Sequence, residues 1–172
     1  MKKYFFMSVL VLMAALTMTS CGNDDSKDEP GSSKGTTYKA GVTFAGDILD
    51  ICDVTMTYKD AEGKSVTEKV TTTGWNLAVD VKKLPATVGV RCDFKLKEGV
   101  QLNKDKYDLI ASMAHLVVVN GKENKDVARD FIKSSGVTKD KLASIVSRYS
   151  GTCFGFNIES NGAVKTTQNI SF

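Results

Sequence analysis

Apolar and polar residues alternate with a period of two along most of the chain after residue 36. The clearest alternating segment has five apolar positions, Val88, Val90, Cys92, Phe94 and Leu96. Similar alternation runs over residues 52–59 and 75–81. Because successive side chains of a β-strand point to opposite faces, these segments are predicted to be half-buried strands. Residues 109–119 are the most apolar stretch and are predicted to form a central strand.

Polar, turn-forming residues separate the alternating segments. Residues 60–64 form a polar turn, and Asn120-Gly121 and Asn161-Gly162 each follow an apolar segment. An Asn-Gly pair between two alternating segments is typical of a type I′ turn. The sequence therefore predicts a hairpin in which residues 154–158 pair with residues 164–172, with a type I′ turn at Asn161-Gly162.

The period becomes helical in two segments that precede this hairpin. The first has four apolar residues with the spacing of one helix face, Val127, Ala128, Phe131 and Ile132, and ends at Gly136. The second begins after Thr138, a suitable N-cap residue, and has Asp140 in its first turn. Its apolar face consists of Leu142, Ile145, Val146 and Tyr149. These patterns predict a short αα insertion.

Seven or eight strands and two short helices predict a mainly β protein. Our first choice is an antiparallel β-sandwich of the immunoglobulin-like or transthyretin-like kind, and a closed lipocalin-type barrel is the alternative. Residues 37–172 contain no interior linker and are predicted to form a single β-rich domain. A domain of this length buries enough surface to fold without disulfide bonds.

The first twenty residues have a different composition. Lys2 and Lys3 precede an apolar run over residues 4–18, which as a helix spans only roughly 22 Å. This length is shorter than the ~30 Å hydrocarbon core of a bilayer. Residues 1–20 are therefore predicted to be a signal peptide and not a retained transmembrane helix.

The signal peptide ends in Met18-Thr19-Ser20-Cys21, which resembles a bacterial lipobox, with Met where Leu is usual. The resemblance implies cleavage before Cys21 and lipidation of that cysteine, with palmitate among its acyl chains. Residues 21–36 continue as an acidic, flexible tether. The whole segment resembles the surface lipoproteins of the Bacteroidota. This resemblance implies an outer-membrane protein that is anchored by lipid and exposed at the cell surface, and it does not extend to residues 37–172.

Charge excludes one class of partner. The chain has 23 basic and 20 acidic residues, and removal of Lys2 and Lys3 with the signal peptide leaves 21 against 20. The two signs are mixed along the domain, and no run of five bases occurs. Nucleic-acid binding needs a concentrated basic face, so no nucleic-acid partner is expected.

The cysteines of the domain suggest structural roles. Cys52 and Cys92 lie on the apolar faces of two alternating strands, so they either form a disulfide across the core or remain two buried thiols. Cys153 is out of phase with the neighbouring phenylalanines and is predicted to lie on the opposite face of its strand. No C-x-x-C pair is present and the chain has one histidine, so we predict no metal site and no cofactor.

No catalytic motif is found. His115 lacks a nucleophile motif to accompany it and is interpreted as a strand histidine that bonds a neighbour or water. The acids Asp47, Asp50 and Asp53 do not match a calcium-binding EF-hand loop, and they and the acids of residues 103–108 are interpreted as solvated turn residues. Paired carboxylates for glycoside hydrolysis are recognised only by their separation in space. We therefore predict that the protein is not an enzyme.

Trp75 and Asn76 form the candidate ligand-binding site. They follow a polar, threonine-rich segment, and a tryptophan that stacks on a sugar ring beside an amide donor is a physical basis for glycan binding. The alternative is a core tryptophan, because Leu77, Val79 and Val81 continue its phase.

The sequence leaves three classes of function. The first is a lipid-anchored, non-catalytic module that binds a glycan or a surface protein, and this is our choice. The second is an envelope enzyme or an enzyme inhibitor, and the third is a structural component of a surface assembly. The choice of a glycan rests on association with surface lipoproteins and not on a motif.

Overall fold

The computed structural model describes residues 35–172, with the side chain of Val127 excepted. The signal peptide, the lipidation site Cys21 and most of the tether lie outside the described residues. In chain order the elements are β1 (Thr36–Gly46), α1 (Ile48–Ile51), β2 (Cys52–Lys59), β3 (Ser65–Val70), β4 (Gly74–Val81), β5 (Ala86–Leu96), β6 (Lys106–Val119), β7 (Lys122–Thr138), α2 (Lys139–Tyr149), β8 (Thr152–Ile158) and β9 (Val164–Thr167).

The strands form two antiparallel sheets. Sheet I has the order β4-β1-β6-β7, and sheet II has the order β3-β2-β5-β8-β9. The sheets pack face to face and are not closed into a barrel, so the fold is a β-sandwich, and the alternative of a lipocalin-type barrel is wrong. Within residues 35–172 no helix is long and apolar enough to cross a membrane.

The alternating strands supply the core as predicted. On β1 the even-numbered residues from Tyr38 to Phe44 face inward and are at most 1% exposed. On β2 and β5 the inward residues include Val54, Met56 and Val90, all fully buried. The period-two pattern therefore identified which face of each strand is covered by the opposite sheet.

The first predicted helix is wrong, because Val127, Ala128, Phe131 and Ile132 belong to strand β7. β7 has 17 residues and pairs with the 14 residues of β6, and the three extra residues are accommodated at three shifts of register. Two of the extra residues, Ala128 (φ +67°) and Phe131, have no partner on β6. The third lies where two residues of β7 are opposite the single residue Asp108 of β6. Each β-bulge resets the alternation, so Phe131 and Ile132 are both buried. Repeated bulges thus reproduce the spacing of a helix face.

The second predicted helix is confirmed as α2. It follows Thr138 at the N-cap position, and Leu142 and Val146 are its buried residues. The insertion between β6 and β8 therefore contains one strand and one helix. The short helix α1, whose residues Ile48 and Ile51 are buried, was not predicted.

The two Asn-Gly pairs form different turns. Asn120 and Gly121 both have positive φ, of 50° and 79°, as a type I′ turn requires, and they join β6 to β7. At Asn161-Gly162 only the glycine has positive φ, of 81°, and the Asn161 side chain accepts a hydrogen bond from the N–H of Ala163. The C-terminal hairpin is confirmed, but its turn is not of type I′.

Residues 168–172 do not extend β9 and instead cross the outer face of sheet II. Gly89 and Gly155 lie opposite each other on β5 and β8, and Ile170 packs on this glycine pair. A Cβ atom on Gly89 would lie 2.3 Å from the Ile170 Cδ1 atom and 2.5 Å from the carbonyl oxygen of Phe154. The Arg91 guanidinium carbon lies 5.6 Å from the centroid of the Phe172 ring.

Candidate functional site

A cleft of about 410 Å³ opens between the two sheets at one end of the sandwich. Its walls come from the start of β1, the end of β4, the start of β5 and the two connections β2–β3 and β4–β5. The volume lies in the range of small-molecule sites in proteins. We call it the inter-sheet cleft.

Apolar side chains form the inner surface of the inter-sheet cleft. They come from both sheets and from the β2–β3 turn, and they are Tyr38, Ala61, Val79, Val81, Ala86 and Val88. Tyr38 is 1% exposed, and its hydroxyl is 3.2 Å from Nδ1 of His115 inside the core. Because this hydroxyl is occupied away from the cleft, Tyr38 contributes only its ring to the inner surface.

Two carboxylates at the rim of the cleft have structural partners. Asp60 Oδ1 accepts hydrogen bonds from the backbone N–H groups of Glu62, at 3.0 Å, and Lys64, at 2.8 Å, and so holds the β2–β3 turn. The Glu62 carboxylate accepts a hydrogen bond from Nζ of Lys82 across the cleft mouth. These acids therefore shape the cleft and join its two walls.

Three lysines and three acids line the cleft, so its formal charges balance, but the remaining residues differ in their partners. The Asp80 carboxylate accepts a hydrogen bond of 2.8 Å from the Thr37 hydroxyl. Lys59 and Lys83 also line the cleft. Within residues 35–172, no carboxylate lies within 4.0 Å of the ammonium group of either lysine. The rim thus offers two cations that have no partner in this part of the chain.

His115 lies behind the cleft, in a row of polar groups that crosses the core side of sheet I. Its ring is 1% exposed and packs on Phe156 with ring centroids 4.5 Å apart. Nε2 lies 3.6 Å from Oδ2 of Asp126 and has no hydrogen-bond partner among the described residues, while Arg129 donates a hydrogen bond to Asp126. Burial lowers the pKa of His115 to about 4, although Asp126 opposes this shift, so the ring is neutral at pH 7. The interpretation of His115 as a strand histidine bonded to a neighbour is confirmed.

Trp75 lies in the core, as in the alternative interpretation, and is 8% exposed. Its Nε1 donates a hydrogen bond of 2.9 Å to Glu68, and the Tyr58 hydroxyl donates one of 2.7 Å to the same carboxylate. Burial, followed by the bond to Glu68, raises the pKa of Tyr58 to about 12. Asn76 is exposed on the other face of β4. The predicted Trp75–Asn76 site is therefore not formed, because the two side chains point to opposite faces and the indole has no open face for a sugar.

The structure contradicts the disulfide hypothesis. Cys52 and Cys92 lie on adjacent strands of the same sheet, where Cys52 pairs with Leu96 and Cys92 with Met56. This offset of four residues separates the two cysteines by about 13 Å, whereas a disulfide needs Cα atoms within about 7 Å. Both are buried free thiols, and burial raises the pKa of each. Cys153 is partly exposed, as predicted from its phase.

At the opposite end of β1, the acids of the Asp47 region do not converge on a metal. Asp47 is 8% exposed, accepts a hydrogen bond from Nζ of Lys104, and accepts a second, of 2.9 Å, from the N–H of Asp108. The Lys104 ammonium, with the backbone bond, holds the pKa of Asp47 below its usual value. Asp53 pairs instead with Lys69. Within the described part of the chain, no group of three His, Cys, Asp or Glu side chains is placed to hold a metal ion.

The inter-sheet cleft was not predicted from the sequence. The patterns predict only a polar turn at residues 60–64 and two alternating strands on either side of residues 82–87. Alternation shows which side chains face the core, but a cleft appears only where the opposite sheet fails to cover them. The pairs of charges that flank both connections are the one signal in the sequence, and such charges are common in turns.

No family model, curated protein or solved structure matches this chain. Residues 35–172 form a nine-stranded antiparallel β-sandwich with an open cleft at one end.

Proposed function

We propose that the protein is a lipid-anchored cell-envelope lipoprotein whose domain is a non-catalytic binding module, with the inter-sheet cleft as its ligand site. The anchor is supported by the lipobox-like residues that end in Cys21 and by the acidic tether behind them. The resemblance to Bacteroidota lipoproteins favours the outer membrane and the cell surface.

One observation carries the choice of binding over catalysis. The cleft is large enough for a ligand, yet each of its three carboxylates, Asp60, Glu62 and Asp80, is bonded to the protein's own groups. A general acid or base must be free to exchange a proton with the substrate. His115 lies outside the cleft, behind Tyr38. A cleft of this volume, whose carboxylates already accept hydrogen bonds from the protein, favours a site that binds a ligand without reacting with it.

Substitution of the lipidation site tests the anchor. Cys21→Ala is expected to move the protein from the membrane fraction to the soluble fraction, because the lipid is the only anchor that the proposal provides. Fractionation and immunoblotting of cells that express the full chain measure the change. Cys153→Ala is the matched control and should remain with the membrane. A Cys21→Ala protein that stays in the membrane fraction contradicts the anchor.

Filling the cleft tests the binding function. Ala86→Phe places a ring among the apolar lining residues, and it is expected to abolish binding of any ligand that enters the cleft. The measurement is a screen of saccharides, peptides and lipids by backbone amide shifts, with the mature chain carrying Cys21→Ser. Ala143→Phe, at an exposed position on α2, is the control. Ligands that bind equally to Ala86→Phe and to the unsubstituted chain would place the binding surface elsewhere.

A further inference from the structure

We propose that the inter-sheet cleft takes an amphipathic anion, a ligand with an apolar body and a single carboxylate, sulfate or phosphate head. This inference rests on the proposed function and specifies the ligand class of the same site. It follows from two features of the cleft, the apolar inner surface and the two lysines at the rim that have no ion-pair partner within residues 35–172.

The inner surface excludes a polar body. All six side chains that form it present carbon to the cleft, since the hydroxyl of Tyr38 is bonded to His115. A sugar ring placed there would lose water from its hydroxyl groups and gain no side-chain hydrogen bond in return. Each unpaired hydroxyl then costs more than the contact returns. An alkyl chain or fused apolar ring has no such cost and gains from leaving water.

The rim selects the head group. Glu62 forms an ion pair with Lys82, and Oδ1 of Asp60 accepts hydrogen bonds from two backbone N–H groups. Lys59 and Lys83 remain without a carboxylate partner within residues 35–172. A ligand whose body fills the inner surface has its head at this rim, where an anion can pair with Lys59 and Lys83, whereas a cation finds only carboxylates that already accept hydrogen bonds from the protein.

The position of the cleft gives such a ligand direct entry. The cleft opens at an end of the sandwich, between the β2–β3 turn and the β4–β5 connection, so the ligand does not have to separate the sheets. The bond between Glu62 and Lys82 crosses the mouth and joins two exposed side chains. Exposed pairs of this kind contribute little stability, and the mouth therefore opens at little cost.

Three probes with alkyl chains of nine or ten carbons and different heads test the inference, namely decanoate, decanol and decyltrimethylammonium. Each is titrated at pH 7 into the mature chain carrying Cys21→Ser, and backbone amide shifts report the site and the dissociation constant. Decanoate is expected to shift cleft residues and to bind about tenfold more tightly than decyltrimethylammonium. The double variant Lys59→Gln/Lys83→Gln should weaken decanoate about three- to tenfold and leave decanol unchanged.

The control variant is Lys139→Gln/Lys141→Gln, which removes the same charge from α2 and should bind decanoate as the unsubstituted chain does. Equal affinities for decanoate and decyltrimethylammonium, or equal losses in the two lysine variants, overturn the anionic head. Neutral oligosaccharides that shift the cleft while decanoate does not overturn the ligand class and leave the proposed function standing. If no probe, saccharide or peptide shifts cleft residues, both the inference and the cleft as ligand site fail.

Discussion

The two ends of the sandwich are built differently. At the end that contains Asp47, the helix α1 covers the core with Ile48 and Ile51, and the Asp47 carboxylate bonds a lysine and the backbone of Asp108. At the other end, no helix within residues 35–172 covers the inter-sheet cleft, and apolar side chains reach the opening. The closed end uses its polar groups to bind the protein's own backbone, whereas two lysines of the open end have no ion-pair partner in this part of the chain. The proposed ligand site therefore coincides with the end at which the described part of the chain leaves its own core uncovered.

The largest expected effect contrasts two glycines with positive φ, one at each end. Gly46→Ala should destabilise the fold by about 3 kcal/mol or more, because strain at φ +69° adds to a Cβ atom 2.3 Å from the carbonyl oxygen of Asp108. Gly63→Ala, at φ +79° with nothing within 4 Å, should cost only about 1 kcal/mol. Chemical denaturation measures the free energy of unfolding of both variants. Equal decreases would show that the backbone around Gly46 adjusts to a Cβ atom as easily as the turn at Gly63 does.

The next effect concerns His115, which lies beneath the cleft. Its pKa is about 4 in the folded protein and about 6.5 when unfolded, so between these values the unfolded chain binds the proton first. Stability should therefore fall as pH decreases from about 6.5 to 4, by on the order of 3 kcal/mol in total. The lowered pKa of Asp47 acts only at lower pH, near and below its ordinary value.

Denaturation curves at pH 7, 5.5 and 4.5 measure this dependence for the unsubstituted chain and for His115→Gln. The variant keeps a polar side chain near Tyr38 but lacks the imidazole, so its stability should fall much less between pH 7 and 4.5. A small slope remains near pH 4.5, where the carboxylates with lowered pKa values, Asp47, Asp53 and Asp140, begin to lose their contribution. The chain has one histidine, which makes the assignment direct. A slope in His115→Gln as steep as that of the unsubstituted chain would show that other groups cause it.

The smallest effect compares two carboxylates. Asp47→Asn should destabilise the fold by about 2 kcal/mol, because it removes the charge from a buried carboxylate that bonds Lys104 and the Asp108 N–H. Asp80→Asn, at the exposed rim of the cleft, should cost about 0.5 kcal/mol or less. Thermal and chemical unfolding of the pair measure the difference. Similar costs would mean that the closed end gains no more from its carboxylate than the rim does.

The sequence was sufficient for the faces of the strands and for α2, because both follow from a local period. It was insufficient wherever the result depends on which strands are neighbours. Cys52 and Cys92 have the correct phase to meet, but the sheet order places them on adjacent strands with an offset of four residues. The prediction of a helix in place of β7 was wrong for a different reason, because the bulges of this strand replace a period of two with an apparent helical spacing.

The candidate site shows the same limit. Trp75 was in phase with the core residues of β4, and its burial follows from that pattern. The cleft instead depends on how far each sheet extends over the other, and its residues come from four segments of the chain, residues 38, 59–63, 79–83 and 86–89. No local pattern records this extent. That Lys59 and Lys83 have no ion-pair partner within residues 35–172 likewise appears only from the distances to the carboxylates of the folded chain.

The bulges of β7 have a consequence for neighbouring molecules. β7 is an edge of sheet I and, with 17 residues, the longest strand among the described residues. A flat edge of this length would act as a template for strand pairing between copies, which is how many β proteins begin to aggregate. Three interruptions of the ladder prevent a second copy from matching more than a few residues in succession. The same irregularity that made the strand resemble a helix in the sequence thus favours separate molecules over strand-paired aggregates where the local concentration of the protein is high.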